Sequence, residues 1–327
     1  MSTTNVTIAP LNLDLAQKVW ETLIKAERIG IISHRQPDPD TIGSNLALQT
    51  LLKSLAKQVN SFCIDQIPLN SRFLPASSTY LQDLQPENYD LLISVDCGSS
   101  SQVGYSQNFP DLFQKNFLNI DHHSSNNNFG SLNLVQTNLS STCEIIYHLL
   151  IYGQTKITPE IATYLLFGLY YDTGSFMHSN VTPAVLEMAE NLLKAGANQP
   201  LIIKNLYQNF SLEKFHLWGQ VLEKIKFSSQ NSAVVVIDHQ KLQPYQNVSE
   251  NLSGVIDYIS MTKESNFAAI ISEEKAGQIK GSLRTRHNHI NLSELAAQMG
   301  GGGHKKASGF SFPGKLSAEI SWKIITP

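Results

Sequence analysis

Residues 30–40 read GIISHRQPDPD, an apolar run that closes at His34 and passes at once into a loop carrying Asp38 and Asp40. Two more runs end in the same way. LLISVD (91–96) closes at Asp96, and KNFLNID (115–121) closes at Asp121 and continues into His122 and His123. Short runs of Ile, Leu and Val are the mark of buried strands. In an open α/β sheet, ligands gather at the carboxyl ends of the strands. Three strand ends would therefore deliver imidazoles and carboxylates to one crevice.

Helical patterns lie between and after these strands. LDLAQKVWETLIKAER (13–28) and TIGSNLALQTLLKSLAK (41–57) flank the first strand, and VNSFCI (59–64) adds another. STCEIIYHLLIYG (141–153), PEIATYLLFGLYYDTG (159–174) and TPAVLEMAENLLKAGA (182–197) follow as helices. This order predicts an α/β domain over 1–196, a mostly parallel sheet with helices on both faces. Residues 197–226 read as a helical connector. Residues 227–327 form a smaller α+β domain, with strands in SAVVVID, FAAIISEEK and QIKGSLRTR and helices in NLSGVIDYISMT and NLSELAAQM. Its densest glycine segment is GGGGHKKASGF (300–310).

The chain has 327 residues, enough for about two domains. Its net charge of −3 argues against a broad basic face for long duplex DNA. The cysteines Cys63, Cys97 and Cys143 are odd in number and widely spaced, so they make no disulfide framework and suggest a reducing cytoplasm. The N-terminus lacks the pattern of a signal peptide, and no apolar stretch is long enough for a membrane span. Exposed apolar residues of the first domain leave a homodimer open.

His34, Asp38 and Asp40 follow H-x3-D-x-D on a strand-to-helix loop. Imidazole with carboxylates suits Mn²⁺, Mg²⁺, Fe²⁺ or Zn²⁺ rather than a Cys₄ zinc site. Asp96, from a second strand end, is placed to bridge two ions. The bland alternative is an acidic turn capping the helix that starts at Thr41. Asp172 closes an apolar helix, where a carboxylate opposes the dipole; by itself it reads first as an exposed turn residue, and otherwise as a group that asks for a cation. Glu144 reads either as support for a metal ligand or as an early helical acid. In the second domain, four glycines, His304, Lys305, Lys306 and Arg284 would offer amides and positive charge to an anion.

Together these residues resemble the DHH phosphoesterase family. Asp121-His122-His123 is its namesake. SHRQPDPDTIGS, ISVD and YYDTGSF resemble its first, second and fourth motifs, and Gly301, Gly302, Gly303 and His304 its C-terminal GGGH signature. The nanoRNase and pAp phosphatase group is the nearest subgroup. The resemblance implies two Mn²⁺ ions, one held by His34, Asp38 and Asp96 and one by Asp40, Asp96, His122 and Asp172. His123 would face the scissile phosphate, with Asp121 orienting the site from behind. Arg284 and Gly301–His304 would hold the substrate's terminal phosphate and base across a cleft between the domains.

The implied activity is hydrolysis of very short RNAs to 5′-mononucleotides, with pAp conversion to AMP beside it. A cyclic or linear dinucleotide phosphodiesterase is the enzymatic alternative, and a catalytically impaired nucleotide sensor the non-enzymatic one. Pro39, where relatives carry Gly, and Gln102, where they often carry Arg, are the departures that favour the sensor. His148, His216, His239, His287 and His289 read as surface residues. His178 reads equally as cleft lining or as a plain turn residue.

Overall fold

Strand β1 (Arg28–Ser33) lies second from the edge of a five-stranded sheet ordered β2-β1-β3-β4-β5, with β2 Gln58–Phe62, β3 Leu91–Val95, β4 Phe117–Asp121 and β5 Leu132–Val135. Every pairing in it is parallel. The order reverses between β1 and β3, because the chain leaves β1 for β2 on one side and returns to β3 on the other. That switch point is where an open parallel sheet presents a crevice at its carboxyl edge. The computed structural model describes residues 11–317 except 115, 229–230, 246–247, 253 and 276. The first and last ten residues, the outer ends of the two expected domains and the segment read for a leader, lie outside the described residues.

Helices α1 (Leu13–Lys25), α2 (Pro39–Ser54), α3 (Ser100–Val103), α4 (Thr142–Tyr152), α5 (Pro159–Asp172), α6 (Pro183–Lys194) and α7 (Gln199–Tyr207) complete this unit, with short 3-10 turns between β2 and β3. Ile29, Ile31, Ile93, Leu118 and Leu165 are fully buried in one core. Each such side chain contributes about 1.5–3 kcal/mol. Helix α2 is unusual in being buried almost all round from Pro39 to Leu52. Its polar residues are satisfied inside: Asn45 Nδ2 donates to Ile31 O and Ser33 Oγ, and Gln49 Nε2 donates to Ser61 Oγ at 2.7 Å.

Glycine lets α2 meet α5 closely. A Cβ on Gly43 would lie 2.4 Å from Tyr164 O, and one on Gly168 would lie 2.4 Å from Cys143 Sγ and 2.8 Å from Asp40 Oδ1. Backbones approach this closely only where no Cβ intervenes. The crossing sets the start of α2 against the end of α5, and so Asp40 against Asp172.

The chain divides into two units between Asn209 and Phe210. The predicted connector is two helices. Ile202 and Leu206 of α7 belong to the first core. Leu217, Trp218 and Val221 of α8 (Leu212–Glu223) belong to a core of the second unit. That unit holds a six-stranded sheet ordered β10-β11-β9-β8-β7-β6, from β6 Lys226–Phe227, β7 Ala233–Ile237, β8 Ala268–Lys275, β9 Gln278–Arg284, β10 Gly302–His304 and β11 Ala307–Pro313. Helices α9 (His239–Leu242), α10 (Val248–Leu252), α11 (Val255–Ser260) and α12 (Leu292–Ala297) accompany it. Only β7 and β8 pair in parallel; the sheet is otherwise antiparallel.

Three strands lie where the sequence showed none, and β6 is the two-residue one that ends the expected helical connector. β5 is an edge strand that buries only Leu134 fully, so it lacks the apolar run of its neighbours. β10 falls in the glycine run, whose backbone pairs with β11 without any side-chain pattern to announce it. His148 needs a correction: it is buried, at 3% exposure, because α4 is enclosed along most of its length. His216 and His289 are exposed, whereas His239 and His287 are half-buried, each with a ring nitrogen facing a carbonyl. Among the described residues, no helix is long and apolar enough to cross a membrane.

Candidate metal centre

The ends of β1, β3 and β4 carry His34, Asp96 and Asp121-His122-His123 to the same edge. Asp38 caps α2, its Oδ1 accepting the amides of Asp40 at 3.0 Å and Thr41 at 3.2 Å. The helix starts at Pro39, not Thr41. Proline suits the first helical position, where its fixed φ fits and no amide is needed. The capping reading and the ligand reading of this loop are thus compatible: one carboxylate closes the helix and also faces His34.

Two clusters form around Asp96. His34 Nε2 lies 3.6 Å from Asp38 Oδ1 and 3.5 Å from Asp96 Oδ2, while His34 Nδ1 sits 2.8 Å from Arg35 O. That second contact fixes the proton on Nδ1 and turns Nε2 inward as a donor atom for a cation. On the other side, His122 Nε2 lies 3.0 Å from Asp172 Oδ2, 3.6 Å from Asp96 Oδ1 and 3.9 Å from Asp40 Oδ2. The ligand atoms of His34, Asp38 and Asp96 fall within 4.8 Å of one another, and so do those of Asp40, His122 and Asp172. Mixed imidazole and carboxylate donors at this spacing fit a divalent cation in each cluster.

The electrostatics agree. Burial pushes the Asp40 carboxyl well above its ordinary range, and the Asp96 and Asp172 charges push it further. Asp172 is raised too, by burial and then by Asp96 and Asp38, with His122 opposing. Burial works against the charge on Asp96, but the hydrogen bond to His34 and the imidazoles around it hold that carboxyl below the usual range. Burial would lower His34 and His122, and their aspartate partners reverse this and raise both well above an ordinary imidazole. Carboxylates crowded this way are relieved by positive charge.

His123 stands slightly apart. Its Nδ1 lies 2.7 Å from Asp121 Oδ1 and 3.6 Å from Asp96 Oδ1. Burial opposes its protonation and the Asp121 hydrogen bond overcomes that, so its pKa is raised. Asp121 is itself held by Asn126 Nδ2, which donates to Oδ2 at 2.6 Å and to Cys97 O at 3.0 Å.

Several positions the sequence reading missed complete the site. Thr142 and Cys143 donate their amides to the two oxygens of Asp40, at 2.7 and 2.9 Å. Asn180 Nδ2 links Ser140 O to Asp172 O, at 3.0 and 3.1 Å. The Ser141–Glu144 spacing marks a helix start, and a helix start exposes amides that a carboxylate can take. That signal could have pointed to Thr142; nothing comparable marks Asn126 or Asn180.

Gln102 also has a local task. Its Oε1 accepts the Gly98 amide at 2.7 Å, closing the turn after Asp96, which a guanidinium could not do. His178 is exposed, with Nδ1 3.2 Å from Asp172 O and its ring over Gly174, as a turn residue would be.

Glu144 is the early helical acid of the second reading, in the first turn of α4, but it is enclosed. It is buried, and its Oε2 accepts the Ser140 amide at 2.6 Å and hydroxyl at 2.7 Å. Burial opposes its charge, but His148, at 3.8 Å, and the Ser140 donors outweigh it and hold the carboxyl below its ordinary value of 4.5. A group depressed on folding gives stability above its unfolded pKa, and that stability is lost as pH falls through the folded one. Glu144→Gln should therefore cost about 1–3 kcal/mol near neutrality and narrow its deficit on acidification. Melting curves between about pH 3 and pH 7 test this; parallel pH profiles of the two proteins would refute it.

In the second unit, the register places His304, Ala307 and Arg284 in one row across β10, β11 and β9. Paired residues of antiparallel strands share a face, so the small Ala307 separates the imidazole from the guanidinium. Arg284 Nε donates to Asp257 Oδ1 at 3.1 Å. Gly301 and Gly303 are demanded by packing, since a Cβ would lie 2.1 Å from Gly309 O and 2.6 Å from Ala307 O respectively. At Gly302 a Cβ would meet nothing within 4 Å. The fold itself therefore does not require glycine at that position.

The comparisons with known proteins follow this anatomy. A model of the DHH family N-terminal domain matches residues 28–169, and one of the DHHA1 domain matches residues 233–321. The bifunctional oligoribonuclease and PAP phosphatase NrnA of Thermus thermophilus is 30% identical over 290 residues, covering 88% of this chain and 84% of its own. Its namesake in Bacillus subtilis is 27% identical over 287 residues, covering 86% and 88%. The crystal structure of an exopolyphosphatase-related protein from Bacteroides fragilis superposes with a TM-score of 0.83 at 24% identity, over 97% of this chain and 94% of that one, which shows a shared fold. With both domain models in order and the NrnA likeness running through most of its length, the chain belongs to the DHH family of DHH–DHHA1 architecture.

Proposed function

We propose that this chain is a manganese-dependent phosphoesterase of the cytoplasm that hydrolyses very short oligoribonucleotides to 5′-mononucleotides and converts pAp to AMP. The observation that carries the reading is Asp96, whose two oxygens face separate clusters, Oδ2 toward His34 and Oδ1 toward His122. His34, Asp38 and Asp96 would hold one cation, and Asp40, Asp96, His122 and Asp172 the other. Paired divalent cations supply Lewis acidity for in-line displacement at phosphorus. His123, with its proton held on Nδ1 by Asp121, would orient toward the scissile phosphate and answer the charge that develops there. The likeness to NrnA proteins supports the choice of substrate. The sensor reading loses its two props, because Pro39 and Gln102 each have a structural task.

Turnover of a 5′-phosphorylated diribonucleotide with Mn²⁺, beside pAp and a cyclic dinucleotide, is the test. Mononucleotide release from the diribonucleotide and AMP from pAp are expected. Preference for the cyclic dinucleotide would reassign the substrate, and no turnover of any of the three would overturn the enzymatic reading.

The same proposal gives the second unit the substrate's terminal phosphate, through Arg284 and Gly301–His304. Gly302→Ala isolates this role. It should leave the melting temperature in place, because the new methyl has room. It should raise KM about tenfold, the effect of ~1.4 kcal/mol of binding. An unchanged KM would remove Gly302 from the substrate's path.

A further inference from the structure

Thr142 is the first residue of α4 and is fully buried. Its amide donates to Asp40 Oδ2 at 2.7 Å and its hydroxyl donates to Asp96 Oδ1 at 3.0 Å. Those are the two oxygens that flank His122 Nε2, at 3.9 and 3.6 Å. One residue thus grips two carboxylates that arrive from different elements, α2 and the turn after β3.

Asp96 has a particular need of such a grip. One oxygen must face His34 while the other faces His122 and His123, which demands one rotation of the carboxylate plane. A hydroxyl donating to the second oxygen holds the plane at that rotation. The backbone at Asp96 is already committed to a left-handed conformation, with φ of 62°. Its side-chain torsions are then the remaining freedom, and the Thr142 hydroxyl is aimed at them. The Asp40 contact works differently, since its donor is a main-chain amide fixed by the helix.

We propose that Thr142 is a positioning residue that sets the spacing of the two cation sites by fixing Asp40 and Asp96 relative to each other. The inference rests on the two-cation reading above. Groups that orient metal ligands from behind are worth about 10–100-fold in metal affinity. Thr142→Val removes the hydroxyl and keeps the shape, whereas Thr142→Ser keeps the hydroxyl and drops the methyl.

Calorimetric titration of the full chain with Mn²⁺ reads the effect directly, with metal-free melting curves to establish that each variant is folded. Wild type should take up two ions. The Val variant should bind them at least about tenfold more weakly, and the Ser variant should stay within about threefold of wild type. Val binding like wild type would overturn the role of Thr142. So would a Ser variant as weak as Val, because packing of the methyl would then be what mattered. Wild type that binds no Mn²⁺ would overturn the two-cation reading itself, a distinguishable result. Should the Val variant not fold, Thr142→Ala carries the same comparison with Ser.

Discussion

Asp96→Asn should lower turnover of the diribonucleotide by about a thousandfold or more, the equivalent of ~4 kcal/mol in the barrier. Asp96 faces both clusters, so Asn would turn a non-ligating amide nitrogen to one and only a neutral carbonyl oxygen to the other. The fold should hold. Losing the charge relieves repulsion on Asp40 and Asp172 but also takes a partner from His34 and His122, so the metal-free protein should melt somewhat lower while staying folded. Asn is the better substitute than Ala. It tolerates the left-handed backbone at φ 62°, where Ala would add strain of about 1–2 kcal/mol, and it still accepts from Thr142. Rates with Mn²⁺ and melting curves without it check both halves. Activity within tenfold of wild type would sink the bridging role.

Gly168→Ala should destabilise the first unit by about 2 kcal/mol or more, lowering its melting temperature by roughly 4–8 °C. Alanine favours a helix by about 1 kcal/mol over glycine, so a surface glycine would have shown the opposite sign. Here the new methyl would sit 2.4 Å from Cys143 Sγ and 2.9 Å from Asp40 Cα. The sulfur belongs to a fully buried side chain and the Cα is backbone, so neither yields cheaply. The strain falls on Asp40, and Mn²⁺ affinity should drop together with stability. A variant that melts like wild type would mean that α2 and α5 can slide apart at no cost.

The strands that carry ligands were legible because each is an apolar run ending in a polar residue. His34, Asp96 and Asp121 therefore announced both the sheet and the edge where chemistry gathers. Asp40 and Asp172 came together only through the family resemblance, since their meeting depends on Gly43 and Gly168, which have no helical or strand pattern of their own. Asn126 and Asn180 each join two acceptors, Cys97 to Asp121 and Ser140 to Asp172, by bonds that leave no spacing to read, whereas Thr142 was marked only by the helix start at Ser141. His148 was misjudged because one histidine in an apolar helix says nothing about how many sides of that helix are covered. β10 was invisible because glycine pairs through its backbone alone.

The enclosure of α2 ties the site to the fate of the whole unit. A loop that carries ligands normally opens on its own, at a small fraction of the global unfolding free energy. Here Asp38 caps a helix packed almost all round, and Asp40 lies on its first turn. They have no private motion: the first turn of α2 cannot fray without uncovering the core beneath it. The amides there should exchange hydrogen only as fast as the unit unfolds globally. Any cation held at that turn would be lost by the unit melting, not by a flap lifting, and each increment of metal affinity would appear in full as resistance to unfolding.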